Sequence, residues 1–243
     1  MATLERPEFE TDAQKRIYQY VERHGTAARH TVREVVSLPP DRFHEQLAEL
    51  TTKGYLEEDG GTVRLALDVG AVEEYETGEF TYSIRPARHD DFEGLIGAIR
   101  DATEDEAYVV AETVAEQLLY EDTVTRHNAV ESRVFFVAAV DDEIVGWTHL
   151  DVPQQEELQG TAQLTVGVKH GYRGRGIGSR LLERGLDWAE ANGYRKVYNS
   201  VPAINDEALA FLERHDWDTQ AIRREHYAIG DRVVDEVMMA YRF

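Results

Sequence analysis

The stretch Leu164–Trp188, LTVGVKHGYRGRGIGSRLLERGLDW, decides how this chain is read. Leu164–Val168 is short, apolar and rich in β-branched residues, which predicts a strand. It runs into a loop dense in glycine and arginine, and the loop opens directly into an amphipathic helix over 179–192 that Gly193 ends. Glycines let the backbone approach a ligand closely and adopt positive φ. The first amides of a helix have no partner within it, and the helix dipole adds to their attraction for negative charge. Such a junction forms a cradle for a pyrophosphate. Two nucleotide motifs fail on spacing. A Walker A loop needs Gly-Lys-Ser/Thr, which is missing. A dinucleotide fingerprint starting at Gly174 needs a third glycine at 179, where Ser179 stands, and it belongs to an opening βαβ unit rather than to a late position.

Working outward, residues 80–85 alternate as a strand and 90–102 carry Phe92, Leu95, Ile96 and Ile99 on one helical face. A second helix fits 109–120. Strands are expected over 133–140 and 143–152, joined by a turn at Asp141-Asp142, then over 196–201, with a helix over 207–215 and a last strand or pair of strands over 227–242. This order argues an α/β domain over 80–243. Residues 71–79, acidic and containing Gly78, are expected to be a linker. Before it, a helix over 11–26 capped by Thr11, one over 31–38, one starting at Pro39-Pro40-Asp41, and a hairpin about Gly60-Gly61 form a smaller domain over 1–70.

The glycine loop resembles the acetyl-CoA-binding motif of the GNAT N-acetyltransferase superfamily, Arg/Gln-x-x-Gly-x-Gly/Ala, here Arg173, Gly174, Arg175, Gly176, Ile177, Gly178. Leu164–Val168 looks like that family's fourth strand, and Asn205, Ala208, Phe211 and Trp217 are similar to its downstream segment. The resemblance covers 80–243. It implies a mixed central sheet flanked by helices (an α+β GNAT fold), acetyl-CoA as cosubstrate, and cofactor contacts from Val166, Gly167, Val168, the loop 173–178, Ser179, Asn205 and Phe211. Ala221–Tyr227 and Asp235–Ala240 look like the tail of the protein N-terminal acetyltransferases that modify ribosomal proteins. In that group a glutamate acts as base and a tyrosine as acid; the corresponding positions here hold Ser200 and Leu212. The order of the first domain resembles a winged helix.

An ammonium acceptor must lose a proton before it attacks a thioester. The carboxylates considered for this are Asp151, at the end of the third strand, and Glu156 and Glu157 in the following loop, with Tyr227 as candidate acid. His149 and His170 show no metal-ligand spacing, and no metal is expected. The chain contains no cysteine, so a cysteinyl-enzyme intermediate is excluded, and direct transfer in a ternary complex is expected.

Lys and Arg number 26 against 47 Asp and Glu, a formal net charge of −21, and only four of the basic residues are lysine. That acidity resembles proteins of salt-accumulating, haloarchaeal-type organisms and opposes nucleic acid and anionic lipid. The expected third helix, 40–53, sets Arg42 and Lys53 against Asp41, Glu45 and Glu49, so a protein contact or homodimer is favoured over DNA for the first domain. The alternative is a DNA-binding regulator with a CoA-sensing domain, contacting phosphates through Arg29, Arg33 and Arg64. No apolar run reaches the roughly 18 residues of a membrane span, and residues 1–10 do not read as a signal peptide, so a cytoplasmic protein is expected. The acceptor can be a protein N-terminus, a lysine or a small amine.

Overall fold

The computed structural model describes residues 7–67, 69–104, 108–158 and 160–243. The first helix, α1 (Asp12–His24), begins where Thr11 Oγ1 accepts from the Gln14 amide at 3.1 Å and stops at Gly25, whose φ of 64° suits glycine. It ends two residues before its expected limit because the chain turns there into β1 (Thr26–Ala28), a strand too short for its pattern to be visible. α2 (Arg29–Val36), α3 (Pro40–Thr52) and the hairpin β2 (Leu56–Asp59) and β3 (Thr62–Leu65) follow, with sheet order β1-β3-β2. Ile17, Val21, Leu47, Leu50 and Val63 meet at its centre with no exposed surface. Each large aliphatic side chain so buried stabilises the unit by about 1.5–3 kcal/mol.

The segment expected as a linker is structured in part. Glu73–Glu76 forms β4, which pairs antiparallel with β5 (Thr81–Pro86) at the edge of the second sheet. Arg184 fastens the chain just before it, with Nη2 donating to the Val69 carbonyl at 2.6 Å and Nη1 paired to Glu73 at 2.8 Å.

The remaining elements are α4 (Phe92–Thr103), α5 (Val109–Glu121), β6 (Arg126–His127), β7 (Glu131–Val140), β8 (Glu143–Pro153), β9 (Thr161–Val168), α6 (Ile177–Ala191), β10 (Lys196–Pro202), α7 (Asp206–Glu213), β11 (Asp218–Ile229) and β12 (Arg232–Arg242). The sheet runs β11-β12-β10-β9-β8-β7-β5-β4, with β6 beside β7. Its two faces follow from period-2 alternation. Along β7, Val134, Phe136 and Ala138 join the core that includes Leu181 and Leu182 of α6. Phe135, Val137 and Ala139 join the core that includes Leu95 and Ile99 of α4 and Leu118 of α5. The chain's end is a long hairpin, with β11 starting at Asp218 rather than near Tyr227. Two register shifts, one between Arg223 and Tyr227, break the alternation that would have marked its first half.

One feature of the sheet positions the site. β9 and β10 run parallel but pair only through Thr161–Gln163 with Lys196–Tyr198. Beyond that, β9 stays with β8 as far as Val168, and β10 stays with β12 as far as Pro202. The strands therefore part, leaving an opening within the sheet.

The N-terminal unit docks near β6. Tyr18, buried, donates to the His127 carbonyl at 2.7 Å. Glu22 pairs with Arg126 at 3.0 Å and accepts from Asn128 Nδ2 at 3.0 Å. Glu121, at the end of α5, bridges Arg126 at 2.9 Å and Arg133 at 2.6 Å.

Candidate functional site

The parting of β9 and β10 opens into a cavity of about 360 Å³. β9 contributes Thr165–Val168, β10 contributes Asn199–Pro202, and the loop and start of α6 contribute Arg173, Gly174 and Gly176–Ser179. α7 adds Ala208 and Phe211. The helix starts two residues earlier than its pattern predicts, because Gly176 takes φ 82° and turns the chain into it. The first amides of α6 thus lie at the cavity wall without intrahelical partners. Arg173 braces the loop, donating from Nε to the Val168 carbonyl at 3.1 Å and from Nη2 to the Ala102 carbonyl at 3.0 Å. Ser179 is held from just beyond α7: His215 Nδ1 contacts the Phe211 carbonyl at 2.8 Å, which requires that nitrogen to donate, and Nε2 then accepts from the Ser179 hydroxyl at 2.9 Å.

Of the expected cofactor residues, Val166, Gly167, Val168, Arg173, Gly174, Gly176, Ile177, Gly178, Ser179 and Phe211 line the cavity. Arg175 turns away to Glu79 at 2.9 Å and to the Phe80 ring. Asn205 caps α7, its Oδ1 accepting from the Ala208 amide at 3.0 Å, and lies outside the lining.

The expected proton-transfer residues are scattered. Tyr227 lies on β11, with β12 between it and β10, and its hydroxyl donates to the buried Glu236 at 2.9 Å. Burial and that carboxylate push its phenol well above the ordinary tyrosine range. Glu157 is exposed in a single turn of 3₁₀ helix between β8 and β9. The Glu156 side chain lies outside the described residues. Leu212 is buried in the core and, like Ser200, lines the cavity.

Asp151 is outside the cavity lining but shares a face of the sheet with part of it. It pairs across β8–β9 with Gln163, which pairs in turn with Tyr198 of β10, so the three share a face of the sheet. Two residues back along β8, on that face, His149 stands opposite Thr165 of the cavity wall. Burial, with the charge of Glu131, raises the Asp151 pKa above the ordinary range, while Arg133 opposes the shift. His149 is pushed down to about 3 by burial and by Arg133 and is therefore neutral. Both its ring nitrogens and Thr165 Oγ1 are buried without a partner among the described residues. Unpaired buried polar atoms are costly and mark places where water or ligand completes the bonding.

Sequence reasoning missed Tyr108–Ala111, Ser200 as a lining residue, and Arg214. The first group comes from the start of α5, and no local pattern tells which helix end meets the gap. Gly167 is constrained on the same wall: a Cβ there would come 2.1 Å from the Trp147 ring, which is buried. Gly167→Ala is expected to cost about 1–3 kcal/mol by overpacking, read as a fall in Tm.

A family model described as acetyltransferase (GNAT) family matches residues 96–217. Among curated proteins, the N-alpha-acetyltransferase RimI of Mycobacterium tuberculosis is 40% identical over 66 residues, 27% of this chain and 40% of that protein. The [ribosomal protein bS18]-alanine N-acetyltransferase of Escherichia coli is 30% identical over 86 residues, 35% of this chain and 58% of its own. Mycothiol acetyltransferase of Corynebacterium glutamicum is 39% identical over 75 residues, 30% and 24%. The chain thus spans less than two thirds of the length of each. Among solved structures, an acetyltransferase of GNAT family from Streptococcus pneumoniae superposes with TM-score 0.53 at 18% identity, covering 67% of this chain and 99% of that one. The ribosomal-protein-S18-alanine N-acetyltransferase from Escherichia coli gives 0.52 at 20%, covering 66% and 93%.

Proposed function

The chain belongs to the acetyltransferase (GNAT) family, and on that premise we propose that it transfers the acetyl group of acetyl-CoA to a primary amine. The observation that carries this is the single cavity joining the parted strands to the start of α6. A pyrophosphate needs helix-start amides and close glycine backbone, and an extended thiol arm needs a slot with backbone groups on both sides. Both are present, and Gly174, Gly176 and Gly178 add no side chain of their own to the cradle. Two of the curated relatives, an N-alpha-acetyltransferase and a [ribosomal protein bS18]-alanine N-acetyltransferase, agree with an amine acceptor.

Asp151 acts as base in this reading, taking the ammonium proton directly or through water held near His149 and Thr165. The amine nitrogen then bonds to the thioester carbonyl carbon, the carbon–sulfur bond breaks, and the thiolate leaves. Tyr108, in the cavity wall, is better placed than Tyr227 to protonate it. With no cysteine to carry the acetyl group, transfer is direct within a ternary complex, and holding both substrates together supplies much of the rate. Thiol release from acetyl-CoA, measured against peptide N-termini, lysine side chains and small amines, tests the function; no release with any of them overturns it.

Asp151→Asn is expected to lower kcat by about 10²–10⁴-fold. In the parent, activity falls as pH drops through the raised Asp151 pKa, so its acidic limb lies above the usual aspartate range. Between the unfolded and folded pKa values the native state binds the extra proton, so ionising Asp151 costs stability as pH rises. Asp151→Asn should therefore keep or raise Tm at neutral pH while kcat falls. An unchanged pH–rate profile would remove Asp151 from this role.

For the N-terminal unit we propose a winged-helix fold used in protein contact. Its helices and hairpin support the fold, and two of the three arginines that could meet phosphates are already paired, Arg29 with Glu58 and Arg64 with Glu57, as is Arg42 with Glu45 on α3. The acidic, lysine-poor surface supports a high-salt, cytoplasmic setting. No described helix is long and apolar enough to cross a membrane.

A further inference from the structure

A second cavity, of about 400 Å³, lies between the N-terminal unit and the GNAT domain, and acetyl transfer makes no use of it. Its size falls in the range of small-molecule sites. Arg64, Arg85, Arg88 and His89 line it, against Glu57 as the one described carboxylate, in a chain of formal net charge −21. Two of these arginines are spent. Arg64 Nε pairs with Glu57 at 2.6 Å, and Arg85 grips Asp91 with two bonds of 2.6 and 2.7 Å. Arg88 makes no ion pair among the described residues. His89 Nδ1 is buried with no partner, packed where a Cβ on Gly25 would come 3.1 Å from it. Much of the remaining wall is apolar, including Val69, Val134 and Phe135.

A guanidinium with no direct ion pair, its charge felt only at longer range by Asp91, and one orphaned ring nitrogen beside an apolar wall suit a single negative charge on an apolar body. A guanidinium binds a carboxylate through two parallel bonds, and low-dielectric walls strengthen the field it sets up. We propose that this cavity binds a small organic monoanion, a carboxylate carried on an aromatic or branched apolar group. The ligand rests against Val69–Val72, whose Val69 and Ala71 carbonyls are held by Arg184 of α6, so it contacts the segment joining the two units.

Calorimetric titration of the full chain with 2-naphthoate, at fixed ionic strength and with saturating acetyl-CoA present, tests this. Binding is expected, at least about tenfold tighter than for the neutral naphthalene-2-carboxamide, since hydrogen bonds to a charged acceptor are about twice as strong as neutral ones. Arg88→Gln, an exposed position, should weaken 2-naphthoate by a similar factor with Tm and acetyl-CoA affinity unchanged. Absence of binding, displacement of 2-naphthoate by acetyl-CoA, equal affinity for the carboxamide, or full affinity in Arg88→Gln would each overturn the proposal.

Discussion

Gly178→Val is expected to weaken acetyl-CoA binding by at least about 100-fold, a loss of some 3 kcal/mol, while leaving the protein folded. Gly178 lies in the first turn of α6 and lines the cavity between β9 and α7. A Cβ there meets only ordinary contacts, 3.5 Å from Val168 and 3.7 Å from Phe211, so the backbone tolerates the change. The added methyls, however, occupy space at the helix start that a phosphate must reach. Gly176→Val should be as damaging to binding and also to the fold. Its φ of 82° belongs to glycine, and a β-branched residue there is a genuine outlier. Calorimetry and a thermal melt on both variants separate the effects: Gly178→Val loses affinity at nearly constant Tm, and Gly176→Val loses both. Unchanged acetyl-CoA affinity in the two would remove the loop from cofactor binding.

Arg126→Met is expected to cost about 3–5 kcal/mol, the range for removing one partner from a buried ion pair. Arg126 joins Glu22 of α1 to Glu121 of α5, and the side chains of this cluster are 4–18% exposed. Without it Glu121 keeps Arg133, but among the described residues Glu22 retains only the Asn128 amide. The cost falls on the junction between the two units. All three tryptophans, Trp147, Trp188 and Trp217, lie in the GNAT domain, so their fluorescence follows that domain while far-UV circular dichroism follows both. In urea the two probes should separate in the variant, with the dichroism changing first. Glu22→Gln added to Arg126→Met should restore part of the loss, because the stranded charge is then gone. A single variant within about 1 kcal/mol of the parent would show that the cluster does not clasp the units.

What could be read from the sequence was what is local. Thr11, Pro40 and Gly193 mark helix limits because capping and φ are set within a few residues. The cradle was legible for the same reason: its strand, glycines and helix are contiguous. Residues that act across the sheet were harder. Asp151 was visible only as one carboxylate among three, and its place beside His149 and Thr165 depends on cross-strand register. The placement of Tyr227 could not be read from spacing, because β12 stands between it and β10 and three residues of β11 bulge before it. Arg175 has the motif's spacing, yet Glu79, nearly a hundred positions earlier, draws it outward. Tyr108 and Arg214 reach the cavity from helix ends whose approach no pattern encodes.

The parting of β9 from β10 has a bearing on how the protein avoids sticking to itself. An exposed strand margin recruits other chains, and proteins blunt such margins with charges, bulges or cover. Here unpaired backbone borders an interior slot, walled by α6 and α7 on one side and by the start of α5 on the other. A second polypeptide arriving flat against the sheet cannot reach it. A thin, flexible chain entering end-on can. The fold thus keeps reactive hydrogen-bonding capacity available to its small partner while withholding it from aggregation, and the amides along the slot should exchange their hydrogens more slowly once that partner is bound.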